Sequence, residues 1–121
     1  MNYLPNSKFD LSGKTALITG AGGLLGFEHA HALLETGCSV VLSDVNQIKL
    51  DEIAENFKKK FPKSKIYGEF LDVSDLKSVS KLYEKLKNQK VEIDILINNA
   101  AINPLVKNDS LIESSRLESF S

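Results

Sequence analysis

Four short apolar runs lie in the first hundred residues: Thr15 to Thr19, Ser39 to Ser43, Lys65 to Leu71 and Ile93 to Ile97. They are close to continuous rather than alternating, as expected of strands covered on both faces. Between them the apolar positions shift to helical spacing. Phe27, Ala30, Leu33 and Leu34 share one face of a first helix after Gly26, and Gly37 ends it as a left-handed cap. Ile48, Ile53, Ala54 and Phe57 form the apolar face of a second helix, capped by Asn46 and closed before Pro62. Leu76, Val79, Leu82, Tyr83 and Leu86 form that of a third, capped by Ser74 or Asp75. Strand and helix thus alternate through four strands. Crossovers of this kind build a parallel sheet with right-handed connections and helices on both faces.

The expected architecture is therefore α/β: a doubly wound parallel sheet of the Rossmann type, incomplete at about four strands. The expected order is 3-2-1-4, with a ligand crevice between strands one and four, where the order reverses. Residues 1–12 read as a lead-in segment, 13–101 as the domain, and 102–121 as a loop with a partial helix near Glu113.

The candidate chemistry lies in the first strand–helix–strand unit. Gly20–Ala21–Gly22–Gly23–Leu24–Leu25–Gly26 joins strand one to the first helix, and Asp44 follows strand two, eighteen positions after Gly26. Glycines without Cβ atoms let backbone N–H groups approach a pyrophosphate, and the helix points its positive end at the same phosphates. A carboxylate at the second strand tip can accept hydrogen bonds from an adenosine ribose. Together these positions predict a dinucleotide site. Asp44 would repel a 2′-phosphate, and no Lys or Arg lies between Gly20 and Val45 to receive one. NAD is therefore expected in preference to NADP.

Other positions carry two readings. Asp72 and Val73 end strand three; they either prepare the third helix or flank adenine. Asn98 and Asn99 end strand four, where paired amides need partners; they either tie neighbouring backbones or touch the cofactor. Ala100 and Ala101 are small enough for a ribose or nicotinamide to lie against them. His29 and His31, two apart on a helix, point to different faces and read as surface or packing residues. Tyr83 and Lys87 have the spacing of an acid/base couple, but their helix lies away from the crevice.

Apolar residues make up 42% of the chain, which suits a folding domain, and 15 basic against 16 acidic residues leave a net charge of −1. That balance offers no field for nucleic acid or an anionic membrane. Cys38 is the single cysteine, so neither an internal disulfide nor a metal site is expected, and its strand context predicts a buried thiol. No signal-like or membrane-spanning apolar stretch opens the chain, which points to a cytoplasmic setting.

From about Leu11 onward the chain resembles the short-chain dehydrogenase/reductase family. The resemblance rests on Gly20 through Gly26, Asp44, Asp72–Val73 and Asn98–Asn99–Ala100–Ala101, in that order. It implies an oxidoreductase that moves a hydride between a nicotinamide cofactor and an alcohol or carbonyl of a small-molecule substrate. By the same resemblance Gly20, Gly22, Gly23, Leu24, Leu25 and Gly26 would hold the pyrophosphate and Asp44 the adenosine ribose. Asp72 and Val73 would flank adenine, while Asn99, Ala100 and Ala101 would lie along the nicotinamide side. Leu24 replaces a common-branch glycine, which gives the turn the spacing of the extended, sugar-nucleotide-modifying branch. Asn98–Asn99–Ala100 instead resembles the common branch, with Ala101 replacing its usual glycine, and the chain is read with the common branch. The Gly22–Gly26 wording with His29–Ala30 also resembles a flagellin or surface-glycan modification subgroup. The family's catalytic Asn, Ser, Tyr and Lys follow strand four, so no catalytic residue is assigned here. The expectation is a cofactor-binding half, inactive alone, whose parent forms homo-oligomers; a sheet that stopped at strand four would leave an edge prone to association. A stand-alone nucleotide-binding module, or part of an extended-branch epimerase or dehydratase, is the alternative.

Overall fold

The computed structural model describes residues 9–100. Its elements are β1 (Thr15–Thr19), α1 (Leu24–Glu35), β2 (Ser39–Asp44), α2 (Gln47–Lys60), β3 (Ile66–Phe70), α3 (Leu76–Asn88) and β4 (Ile95–Asn98). All strand pairs are parallel and the order is β3-β2-β1-β4, as the apolar pattern predicts. Lead-in residues 1–8, Ala101 and the 102–121 segment lie outside the described residues.

The two inner strands account for the continuous runs. Ala16, Ile18, Val40 and Leu42 point into a core shared with Ala30 and Leu34 of α1 and Leu50, Ile53, Ala54 and Phe57 of α2. Leu17 and Val41 point the other way, into a core with Val79, Leu82 and Leu86 of α3. Ala16–Thr19 and Val40–Ser43 are buried at every position, so alternation disappears.

The outer strands depart from expectation. β3 covers Ile66–Phe70 rather than Lys65 to Leu71, and within it only Ile66 is buried. At its centre Gly68 brings the strand close to α2; a Cβ there would lie 3.5 Å from Leu50 and 3.6 Å from Ala54. β4 begins at Ile95, not Ile93, because Asp94 makes a reciprocal contact with Thr15 before the ladder starts. The Asp94 N–H donates to the Thr15 carbonyl at 2.8 Å, and the Thr15 N–H donates to Asp94 Oδ2 at 2.9 Å.

Helix faces also need correction. Ile48 is 85% exposed and Leu50 takes its place in the core. Leu50, Ile53, Ala54 and Phe57 follow the i, i+3, i+4, i+7 series, which Ile48 does not share. In α3, Leu76 in the first turn and Tyr83 are both exposed. Tyr83 lies one residue beyond buried Leu82, about 100° round the helix. α1 begins at Leu24, inside the glycine segment, since the Gly23 carbonyl already accepts the Phe27 N–H.

Caps separate the three helices. The Asn46 side chain accepts the Lys49 N–H at the start of α2, and the Asp75 side chain accepts the Lys77 N–H at the start of α3. α1 opens on Gly23, with no side-chain cap. At their ends α1 and α3 close alike. Gly37 (φ +88°) donates to the Leu34 carbonyl and Cys38 to that of Leu33; Lys90 (φ +59°) donates to Lys87 and Val91 to Leu86. These are Schellman closures, one on glycine and one on lysine.

Candidate nucleotide-binding site

Parallel strands bring their carboxyl ends to one edge, and the sequence-selected residues gather there. The N–H of Ala21 donates to the Ser43 carbonyl at 2.9 Å, and buried Ser43 Oγ donates to the Ile18 carbonyl at 3.0 Å. The glycine turn is thereby tied to the end of β2. Gly20 sits at φ +65°, and a Cβ there would fall 2.9 Å from the Ala100 backbone. A side chain would also fill the space at Gly26, meeting the Gly20 carbonyl oxygen, and the Ala21 Cα at 2.8 Å. These two glycines let three backbone segments converge.

Asp44 faces the turn. Its Oδ2 accepts the Gly22 N–H at 2.7 Å and its Oδ1 accepts the Asn46 N–H at 3.0 Å. A Cβ on Gly22 would sit 2.8 Å from Oδ2. A carboxylate offers about four acceptor positions, so these two bonds leave capacity for a diol. The Leu71 N–H donates to the Asp44 carbonyl, which brings the end of β3 alongside.

Next to it, Asp72 Oδ1 accepts from both the N–H and the Oγ of Ser74, and the Asp72 N–H donates to Ser78 Oγ. Asp72 thus shapes the turn into α3, the first of its two readings. Val73 is partly buried against the α3-side core.

Thr19, buried at the end of β1, anchors the exit of β4. Its Oγ1 donates to Asn98 Oδ1 at 2.7 Å and accepts the N–H groups of Asn99 and Ala100, both at 3.1 Å. The Asn98 side chain thus bonds that of Thr19, while the Asn99 carboxamide reaches His29, with 3.0 Å between Nδ2 and Nδ1. Sequence reading missed Thr19 and Ser43; a hydroxyl ending an otherwise apolar strand was the available signal. His29, read as a surface or packing residue, is exposed, and its contact with Asn99 was not foreseen.

Two other candidates sit elsewhere. His31 packs among Phe27, Phe57 and Phe61, with Lys60 Nζ 2.7 Å from its Nε2. Tyr83 and Lys87 line a cavity of about 1160 Å³ with Gly13, Lys14, Thr15 and Asp94, at the opposite ends of β1 and β4 from the glycine turn. Cys38 is buried at the start of β2, and burial pushes its thiol pKa up, a neighbouring backbone hydrogen bond offsetting part of that. Among the described residues no group of three or more His, Cys, Asp or Glu could hold a metal, and no helix is long and apolar enough to cross a membrane.

The geometry fits a dinucleotide. Exposed Leu24 and Leu25 begin α1, whose first N–H groups have no intrahelical acceptor and no capping side chain. Such donors at a helix start can be accepted by a phosphate.

The short chain dehydrogenase family model matches residues 14–120, and the chain belongs to that family. It is 35% identical over 102 residues to a short chain dehydrogenase/reductase of Gibberella zeae, covering 84% of this chain and 37% of that protein. A 3alpha-hydroxysteroid dehydrogenase of Mediterraneibacter gnavus is 32% identical over 92 residues, covering 76% of this chain and 37% of that one. Among solved structures, L-sorbose reductase from Gluconobacter frateurii, complexed with NADPH and L-sorbose, superposes with a TM-score of 0.78 at 25% identity, over 92% of this chain and 47% of that one. An oxidoreductase of Haemophilus influenza with bound NAD gives 0.71 at 28% identity, over 81% and 34%. The chain thus spans between about a third and a half of the length of these proteins.

Proposed function

We propose that these residues bind a nicotinamide adenine dinucleotide, NAD before NADP, as the cofactor-binding half of an oxidoreductase acting on an alcohol or carbonyl. The observation that carries this reading is Asp44 held 2.7 Å from the Gly22 N–H, a carboxylate and an uncapped helix start facing one crevice. In this reading the N–H groups at the start of α1 hold the pyrophosphate, and Asp44 takes the adenosine ribose diol with its remaining lone pairs. Val73 lies against adenine, with Asp72 beside it. Asn99 and Ala100 lie along the nicotinamide-side ribose. Once bound, the nicotinamide supplies or accepts the hydride. The chain's residues place and hold it.

Both nicotinamide cofactors occur among the similar structures, one solved with NADPH and another with NAD. The preference for NAD rests on charge: Asp44 repels a 2′-phosphate, and the next residue, exposed Val45, offers no cation. Calorimetric titration with NAD and NADP tests it. NAD should bind more tightly, and Asp44→Asn should weaken NAD about ten- to hundredfold, the worth of a charged hydrogen bond, while weakening NADP less. Equal affinity for the two cofactors, or an Asp44→Asn variant that binds NAD like wild type, refutes the assignment.

A further inference from the structure

The contact between His29 and Asn99 joins a titratable ring to an amide at the edge of the cofactor crevice. The two residues are seventy positions apart, on α1 and just after β4, and their side-chain nitrogens lie 3.0 Å apart. The backbone of Asn99 has little freedom, since its N–H is held by Thr19 Oγ1 at 3.1 Å with the Thr19 carbonyl at 3.3 Å. What remains adjustable is the carboxamide, and its outer partner is the His29 ring.

Hydrogen-bond chemistry makes this pair directional. When the amide nitrogen of Asn99 donates to Nδ1, that ring nitrogen must be an acceptor, so His29 is neutral with its proton on Nε2. The amide oxygen is then the end left to accept a ribose hydroxyl. A protonated ring carries hydrogen on both nitrogens. Nδ1 can then only donate, and the carboxamide must turn over to present its oxygen to the ring. The end offered to the crevice becomes the NH2 group.

We propose that His29 is a positioning residue: its neutral ring fixes the Asn99 carboxamide with Oδ1 available to the nicotinamide-side ribose, and ring protonation reverses the amide and weakens that half of the cofactor's grip. The proposal rests on the dinucleotide reading above. Among the described residues, the titratable and charged groups near the pair are few. On α1, the residues three and four positions from His29 are Leu25, Gly26, Ala32 and Leu33, none charged. Glu28 adjoins it on the same helix, and His31 lies round the helix beside Lys60. From β4, the described residues Asn98, Asn99 and Ala100 are uncharged.

The test compares NAD with ADP, which lacks the nicotinamide-side ribose, across about pH 5.5 to 8. His29→Leu should weaken NAD about three- to tenfold at pH 8, one ordinary hydrogen bond, and leave ADP unchanged. His29→Asn offers a fixed acceptor in place of Nδ1 and should restore NAD binding. Wild type should lose NAD affinity relative to His29→Asn as pH falls, with no such divergence for ADP. Nitrogen-detected NMR on wild type should show Nδ1 unprotonated in the neutral ring, and the Asn99 side-chain resonances should move as His29 titrates. A ring protonated on Nδ1 at pH 8, Asn99 resonances indifferent to that titration, or equal effects on NAD and ADP each overturn the proposal. Failure of ADP itself to bind overturns the dinucleotide reading instead, and the NMR result still decides whether the ring and amide exchange.

Discussion

Replacing Thr19 with valine isolates what holds the crevice in register. The two side chains are close in shape, so the core around β1 stays filled and the change is the loss of Oγ1. Three bonds disappear with it: the donation to Asn98 Oδ1 and the acceptance of the Asn99 and Ala100 N–H groups. Their costs differ. Asn98 is exposed, so water replaces its partner at about 0.5 kcal/mol or less. Asn99 keeps a longer contact to the Thr19 carbonyl at 3.3 Å, which holds its loss below about 1 kcal/mol. Ala100 is half-buried and loses its acceptor, at about 1 kcal/mol or somewhat more. The total is about 2 kcal/mol, or a melting temperature lowered by about 8–15 °C in a domain of this size. Thr19→Ser keeps the oxygen and gives up a methyl, about 0.8 kcal/mol, so it should recover more than half of the deficit. Denaturant and thermal unfolding of the three proteins give the comparison. If the valine variant melts with wild type, or the serine variant falls as far as valine, Oγ1 is not what anchors the β4 exit.

Lys90→Gly should stabilise the protein by about 0.5–1 kcal/mol, because lysine sits at φ +59° in the closure that α1 completes with Gly37; a lower denaturation midpoint would contradict this. Gly26→Ala should destabilise by about 2 kcal/mol or more, since the added carbon meets backbone on both sides, and a normal melting curve would refute the packing argument. Gly22→Ala should displace the Asp44 carboxylate, its nearest neighbour, and break the bond that holds the turn, so stability and NAD affinity should both drop when the two are measured. Cys38 is buried with its thiol pKa raised chiefly by burial. The unfolded state therefore loses its proton first as pH rises, so this residue's contribution is complete below the ordinary thiol range and is lost as pH climbs above about 8.5–9. Cys38→Ala should remove that part of the alkaline decline in unfolding free energy, and thiol labelling of wild type should proceed only through opening.

The parts of this fold that could be read in advance are those fixed by near neighbours or by burial on both faces. β1 and β2 announce themselves because Leu17 and Val41 face one core while Ala16, Ile18, Val40 and Leu42 face the other. Gly37, Asn46 and Asp75 act on groups within a few residues of themselves, so the helix punctuation is local. Among the described residues the outer strands have one ladder neighbour each, and their ends are set by single contacts such as Asp94 with Thr15, which no periodicity encodes. Ile48 misled because an apolar residue near a helix start fits several stripes, and only packing on β3 selects the one through Leu50.

The candidate site divides the same way. Its glycines and Asp44 are visible as a spaced motif because backbone approach requires particular residue types at particular separations. What joins them is not visible: Gly22 to Asp44 spans 22 positions, Asn99 to His29 spans 70, and Ala100 to Thr19 spans 81. Those links exist only after parallel strands have carried their carboxyl ends to a common edge. The consequence is that Asp44 has two duties. It holds the turn through Gly22 and, in the proposed reading, receives the ribose through its other lone pairs. Asp44→Ala should therefore lower both stability and NAD affinity. A ribose-only role would lower affinity alone, and a structural role alone would leave the affinity of the folded fraction unchanged, so measuring both on one sample separates the three.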